Sequence, residues 1–192
     1  MTPRYTSALA LAAEAHEGQN RKGTPIPYIT HPVAVAALVA RYGGSEDQQI
    51  AALLHDVLED AGEQWAPRIE AFGPQVLAIV LGCTDGTPDA TGKKAPWRER
   101  KEAYLAHLAD TQGDTLLVLG CDKLHNLQSI HLDLTEIGPA VFDRFKAGRD
   151  GTLWYYDRLV KTFEGRNSAV APALRAELAA VLERLAQDIE EH

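Results

Sequence analysis

The chain has 192 residues, 45% of them hydrophobic and 24% charged, with a formal net charge of −8. That length suits one globular domain with or without a small appendage, and no apolar run approaches the roughly 20 residues of a spanning helix, which excludes a membrane span. The acidic balance argues against sequence-independent binding of DNA or RNA, which needs a broad basic face, and the distant Cys83 and Cys121 read as core thiols in a reducing cytoplasm.

Apolar residues recur at helical spacing nearly everywhere, so the pattern predicts an all-α fold of about eight to ten helices. The run "SALALAAEAH" after Arg4 imitates a signal peptide, but Glu14 and His16 interrupt it and no convincing cleavage site follows. It reads as a first helix with Leu9, Ala12, Ala13 and His16 along one face. The glycines and prolines of "GQNRKGTPIPYITHP" fix an irregular loop that holds Arg21 and Lys22 together as a local basic pocket. A second helix carries Val35, Leu38, Val39 and Tyr42, and Gly43 and Gly44 stop it. Ser45 and Gln48 form a capping-box pattern that starts a third, which contains "LLHDVLED" at residues 53–60.

Further helices fit Gln64 to Phe72, Pro74 to Thr84, Pro96 to Asp110 and Asp114 to about Leu132, punctuated by Gly73, Gly86, Gly92 and Gly113. Leu116 to Leu119 could form a short buried strand, yet Leu117, Cys121, Leu124 and Leu127 continue a helical period, and helix is the reading adopted. Shorter helices follow around Pro139 to Lys146 and Asp150 to Phe163. After the linker "EGRNS" a last amphipathic helix starts near Ala171. Its stripe of Leu174, Leu178, Val181, Leu185 and Ile189 either dimerises or folds back on the chain, and packing within the chain is the preferred alternative.

The octet at 53–60 places His55, Asp56, Glu59 and Asp60 in a greasy stretch, and a charge moved into such surroundings must be paired, metal-bound or neutralised. In a continuous helix Glu59 stands above His55 and Asp60 above Asp56, a compact polar face. An adjacent His-Asp pair is common on solvated surfaces and says little by itself. His31 adds a second imidazole at the start of the second helix, just before Pro32, where a side chain can point into a cleft. Asp122 sits among apolar residues of "GCDKLHNL" and needs a partner. His31, His55, Asp56 and Asp122 together form a mixed N/O set suited to Mn²⁺, Fe²⁺ or Zn²⁺, among which ligand type does not choose.

The order His, then His-Asp, then Asp on an all-α background resembles the HD-domain metal-dependent phosphohydrolases. The stretches "AAEAHEGQNRKGTPIPYITHP", "AALLHDVLED", "FGPQVLAIVLGCTD", "WRERKEAYL" and "CDKLHNLQSI" resemble successive motifs of the RelA/SpoT hydrolase domain, particularly its small stand-alone alarmone hydrolases, and span about Leu9 to Tyr156. The resemblance implies Mn²⁺-dependent attack of an activated water on the 3′-pyrophosphate of guanosine 3′,5′-bis(diphosphate), ppGpp, or its pentaphosphate analogue pppGpp, giving GDP or GTP and pyrophosphate. By the same resemblance His31, His55, Asp56 and Asp122 are the metal ligands, and Glu59 and Asp60 position or deprotonate water. Arg21 and Lys22 hold phosphates, Asn126 contacts the nucleotide, and Ser129 lies beside the substrate.

Lys123 stands where longer relatives commonly carry arginine. His16 matches the family's "AH.GQ" and reads as a structural hydrogen-bonding residue; His107, His125 and His131 receive no role. Trp154, Tyr155 and Tyr156 either stack on a base or, preferably, form a core cluster. Lys93, Lys94, Arg98, Arg100 and Lys101 form either a basic rim that steers a polyphosphate or a solvated face. The expectation is therefore a cytoplasmic, single HD-type hydrolase domain over residues 1–165. Residues 166–192 add an amphipathic helix that packs on the domain or joins a homodimer. The substrate is a small nucleotide, with neither nucleic acid nor membrane as partner. The rival expectations are an HD phosphohydrolase acting on another nucleotide and a non-catalytic metal- or nucleotide-binding signalling module.

Overall fold

A computed structural model describes residues 2–84, 95–111, 113–166 and 170–191. Among these residues the regular elements are helical: α1 Pro3–Ala15, α2 Thr30–Arg41, α3 Glu46–Leu54, α4 Val57–Ala61, a 3-10 turn Glu63–Trp65, α5 Ala66–Glu70, α6 Pro74–Cys83, α7 Trp97–Asp110, α8 Gly113–Ile137, a 3-10 segment Gly138–Arg144, α9 Gly148–Gly165 and α10 Pro172–Glu191. The all-α expectation holds, and Leu116 to Leu119 are helical within α8. No helix among the described residues is long and apolar enough to cross a membrane. The chain divides into two compact units, Met1–Thr84 with Gln112–His125, and Asp85–Thr111 with Asn126–His192.

In the first unit α3 packs against α1, α2 and α6. Ile50, Ala51, Ala52, Leu53 and Leu54 are completely buried, as expected of a helical run apolar on every side, whereas the first turn of α3 is polar. The expected capping box starts it: the Ser45 hydroxyl accepts from the Gln48 amide while the Gln48 side chain accepts from the Ser45 amide. The preceding turn needs both glycines. Gly43 adopts φ +83°, and a Cβ on Gly44 would stand 2.4 Å from Val39 Cγ1. On α1 the core face comprises Ala8, Leu11, Ala12 and Ala15, whereas Ala13 is exposed. The expected stripe through Leu9 and Ala13 was thus rotated, because an alanine-rich helix offers little contrast between faces.

The largest departure concerns the octet. It does not lie on one continuous helix, since α3 ends at Leu54 and α4 begins at Val57, leaving His55 and Asp56 at the junction. Glu59 and Asp60 are on the exposed side of α4.

In the second unit α9 packs against α7 and α10. Leu174, Leu178, Val181 and Leu185 are buried, so the leucine stripe of α10 is used within the chain. His131 Nε2 of α8 meets Asp188 Oδ2 of α10 at 2.5 Å. Tyr155 and Tyr156 are buried, and Trp97 meets Trp154 edge-on with centroids 5.9 Å apart, which makes the aromatic group a core cluster. Of the basic residues nearby, Arg98 stacks over the Trp154 ring and pairs with Glu102, and Lys101 lies over the Tyr155 ring. Lys93 and Lys94 lie outside the described residues.

Candidate metal centre

The site is built within the first unit, and its first component is the loop between α1 and α2. Asn20 and Pro27 form an isolated antiparallel bridge, with the Arg21 amide donating to the Ile26 carbonyl at 2.8 Å and the Tyr28 amide to the Gln19 carbonyl at 2.9 Å. The turn holds Arg21 half-buried, its guanidinium 5.7 Å from the Tyr28 ring centroid, while Lys22 is exposed. His16 closes the end of α1. It is buried, its Nδ1 is 2.8 Å from Gln19 Oε1, and its ring lies 4.8 Å from that of Tyr28, in keeping with a structural role.

His31 enters in the first turn of α2 and is buried. Its Nε2 stands 3.1 Å from Asp122 Oδ1 and 3.5 Å from Asp56 Oδ2. His55 Nδ1 donates to the Ala52 carbonyl at 2.8 Å, which aims Nε2 at the same carboxylates. Asp56 Oδ2 lies 3.0 Å from that Nε2 and Asp122 Oδ1 3.8 Å. His55 Nε2 is nevertheless buried without a hydrogen bond among the described residues. A buried ring nitrogen left in this way, facing two carboxylates, is what a cation would satisfy.

Each carboxylate has a further side-chain partner. Lys123 Nζ grips Asp122 Oδ2 at 2.6 Å and leaves Oδ1 to the histidines; the Tyr28 hydroxyl donates to Asp56 Oδ2 at 2.6 Å. Burial and the adjacent Asp56 charge push the Tyr28 phenol well up, so it stays a donor. Burial opposes ionisation of Asp122, but Lys123, His31 and His55 outweigh it and hold the carboxyl well below the usual range. Burial likewise opposes ionisation of Asp56, and His55 with His31 outweighs it. The same carboxylates lift the His55 imidazole against the effect of burial.

His31, His55 and Asp122 each offer a ligand atom, all within 4.8 Å of one another. A metal with bonds of roughly 2.0–2.3 Å needs its opposite donors about 4–4.5 Å apart, so this set fits an ion with small shifts. Asp56 lies alongside, and a carboxylate with one hydrogen-bonded oxygen retains lone pairs for a fourth bond.

The other expected site residues are placed as follows. Glu59 and Asp60 follow the junction on α4, and desolvation with the neighbouring Asp56 charge raises Asp60 above the ordinary carboxylate range. Asn126 and Ser129 lie about one and two turns beyond Asp122 on α8, half-buried, in the second unit. Sequence reasoning missed Tyr28 and His125. His125 Nδ1 is 2.7 Å from His31 Nδ1, and desolvation together with the His31 and Arg21 charges lowers His125 to about 4. The three-residue spacing from Asp122 to His125, one helix face, was the available signal.

A family model described as HD domain matches residues 8–153. The guanosine-3′,5′-bis(diphosphate) 3′-pyrophosphohydrolase MESH1 of Danio rerio is 34% identical over 181 residues, covering 92% of this chain and 87% of the relative. The bifunctional (p)ppGpp synthase/hydrolase SpoT of Escherichia coli K12 is 33% identical over 129 residues, 66% of this chain but 18% of its own length. Among solved structures, a metazoan ortholog of SpoT described as hydrolysing ppGpp superposes with a TM-score of 0.75 over 96% of both chains at 24% identity, a likeness of fold.

Proposed function

Because the chain belongs to the HD-domain family, we propose that it is a metal-dependent phosphohydrolase that removes the 3′-pyrophosphate of ppGpp or pppGpp, giving GDP or GTP and pyrophosphate. One observation carries the reading: two buried imidazoles and a buried carboxylate offer ligand atoms within 4.8 Å, and among the described residues one imidazole nitrogen has no hydrogen bond. The names of relatives matched over most of the chain support the substrate.

In this reading His31, His55, Asp56 and Asp122 hold the ion, which we take to be Mn²⁺, compatible with the mixed N/O donor set. When bound, such an ion supplies Lewis acidity toward a phosphoryl oxygen and a lowered pKa for water. The chain supplies the rest. Glu59 and Asp60 align the attacking water and take its proton. The bond between the 3′ oxygen and phosphorus breaks, the water oxygen remains on the departing pyrophosphate, and the 3′ oxygen regains a proton. Arg21 presents a planar fork and Lys22 a mobile point charge to the polyphosphate. Asn126 and Ser129 contact the nucleotide.

Residues 1–165 are taken as the hydrolase domain and 166–192 as a helix that packs on it, an assignment favoured over a homodimer contact by the burial of Leu174, Leu178 and Val181. The free, buried Cys83 and Cys121 suit a reducing cytoplasm. Incubating the Mn²⁺-loaded protein with ppGpp, pppGpp and a panel of other nucleotides, then separating products, tests the proposal. Equimolar GDP and pyrophosphate from ppGpp is the expected result. Release of orthophosphate alone, or equal turnover of unrelated nucleotides, overturns it.

A further inference from the structure

We infer that His125 is the positioning residue for His31: its Nδ1 accepts the hydrogen that His31 carries on Nδ1 and so fixes the His31 ring with Nε2 free to bind a metal. The inference rests on the ligand assignment proposed above. The two Nδ1 atoms are 2.7 Å apart, with ring centroids 4.9 Å apart and planes inclined at 40°. At that separation one nitrogen carries the hydrogen and the other offers a lone pair.

The opposite edge of His31 decides which. His31 Nε2 faces Asp122 Oδ1 and Asp56 Oδ2 at 3.1 and 3.5 Å. A cation held between these groups takes the Nε2 lone pair, and a neutral imidazole then carries its hydrogen on Nδ1. His125 Nδ1 is the acceptor in line with it. His55 meets the same need with the Ala52 carbonyl, 2.8 Å from its Nδ1. Each ligand imidazole thus has an acceptor behind it, the arrangement that sets tautomer and ring orientation at metal sites.

The two acceptors differ in kind. A helix carbonyl can only accept, whereas His125 accepts only with its own hydrogen on Nε2. Helix α8 therefore supplies two things one turn apart: the Asp122 carboxylate that faces His31 Nε2, and the His125 ring that meets His31 Nδ1.

The test is calorimetric titration of Mn²⁺ into the metal-free protein and its His125→Ala and His125→Asn variants. His125→Ala should bind Mn²⁺ about 10–100-fold more weakly, the usual effect of removing an outer-sphere partner. Asn presents an oxygen that can accept from the same direction and should restore affinity close to that of the parent. Equal losses in the two variants, or no loss in His125→Ala, overturn the inference. Long-range ¹⁵N–¹H spectra of the Zn²⁺-loaded protein give an independent readout. They should place the His31 hydrogen on Nδ1, and a hydrogen on Nε2 overturns the assignment. A parent protein that binds Mn²⁺ with this order of affinities but leaves ppGpp intact refutes the substrate reading while supporting this one. A parent that binds no divalent ion refutes both.

Discussion

His55 donates from Nδ1 to the carbonyl of Ala52, the acceptor that the Asp56 amide would take if helix α3 ran on. A side chain that competes for a ladder carbonyl offers the backbone an alternative to helix, and α3 ends one residue before His55. The same contact leaves His55 Nε2 pointing at Asp56 and Asp122. One hydrogen bond therefore joins the break between α3 and α4 to the direction in which His55 Nε2 points, the atom proposed to bind a metal.

Substituting His55 tests that coupling. His55→Ala removes a donor outright, so Mn²⁺ affinity measured by calorimetry should fall by more than the roughly 10–100-fold of an outer-sphere change. Parent-like binding in this variant would show that the ion, if any, lies elsewhere.

Metal removal should be visible in stability. A ligand at 100 times its Kd stabilises the folded state by about 2.7 kcal/mol, which for a chain of this size raises Tm by about 5–11 °C. Thermal scans with excess Mn²⁺ and with a chelator should differ by this amount. Coincident scans would remove the ion from the folded protein.

The Tyr28 hydroxyl should matter through Asp56. Burial and Asp56 keep the phenol protonated, so it donates to Asp56 Oδ2 throughout the working pH range. Tyr28→Phe deletes a donor to a charged acceptor, a bond worth about 1.5–3 kcal/mol when shielded. Asp56 keeps 21% of its side chain exposed, which places the effect at the low end. Mn²⁺ affinity should drop about tenfold, as for other outer-sphere partners, and unchanged affinity would make the contact incidental.

Local rules made much of this architecture legible in the sequence. Ser45 and Gln48 announced α3 through a reciprocal cap, and Pro74 opens α6 as expected. His31, His55, Asp56 and Asp122 were legible as donor types, because polar residues stand out in apolar stretches. The junction at His55 was not, since the apolar period runs on from Leu54 to Val57 and a side-chain bond to the Ala52 carbonyl leaves no mark in that period. Residues 138–144 form a 3-10 segment where a short helix was expected. Tyr28 acquires its role from a partner 28 residues away, which no spacing rule reports; for His125 the three-residue step from Asp122 places it on the same helix face, but its partner His31 lies 94 residues away.

The basic loop should act on substrate and leave the ion alone. Arg21 and Lys22 sit on the turn closed by the Asn20–Pro27 bridge, Arg21 beside the Tyr28 ring and Lys22 exposed. Replacing both by Ala removes charge-assisted bonds of about 1.5–3 kcal/mol each, so KM for ppGpp should rise by an order of magnitude or more. Mn²⁺ affinity should stay at the parent value. An unchanged KM would take the loop out of the substrate site.

Glu59 offers the sharpest separation of holding an ion from using it. It lies on the exposed side of α4, four residues past His55, whereas His31, His55 and Asp122 converge around the buried Nε2 atoms. A carboxylate outside that set can take a proton from water and align it without occupying a coordination position. Glu59→Gln keeps the shape and hydrogen-bonding reach of the side chain and removes its basicity. The variant should bind Mn²⁺ with parental affinity and show the same metal-dependent rise in Tm. Its kcat for ppGpp should nevertheless fall by about 10²–10⁴, the range for a positioned acid–base group. Loss of the ion would make Glu59 a ligand or a support for one. Parent-like turnover would shift the proton-accepting role to Asp60, whose raised pKa next to Asp56 also suits a general base.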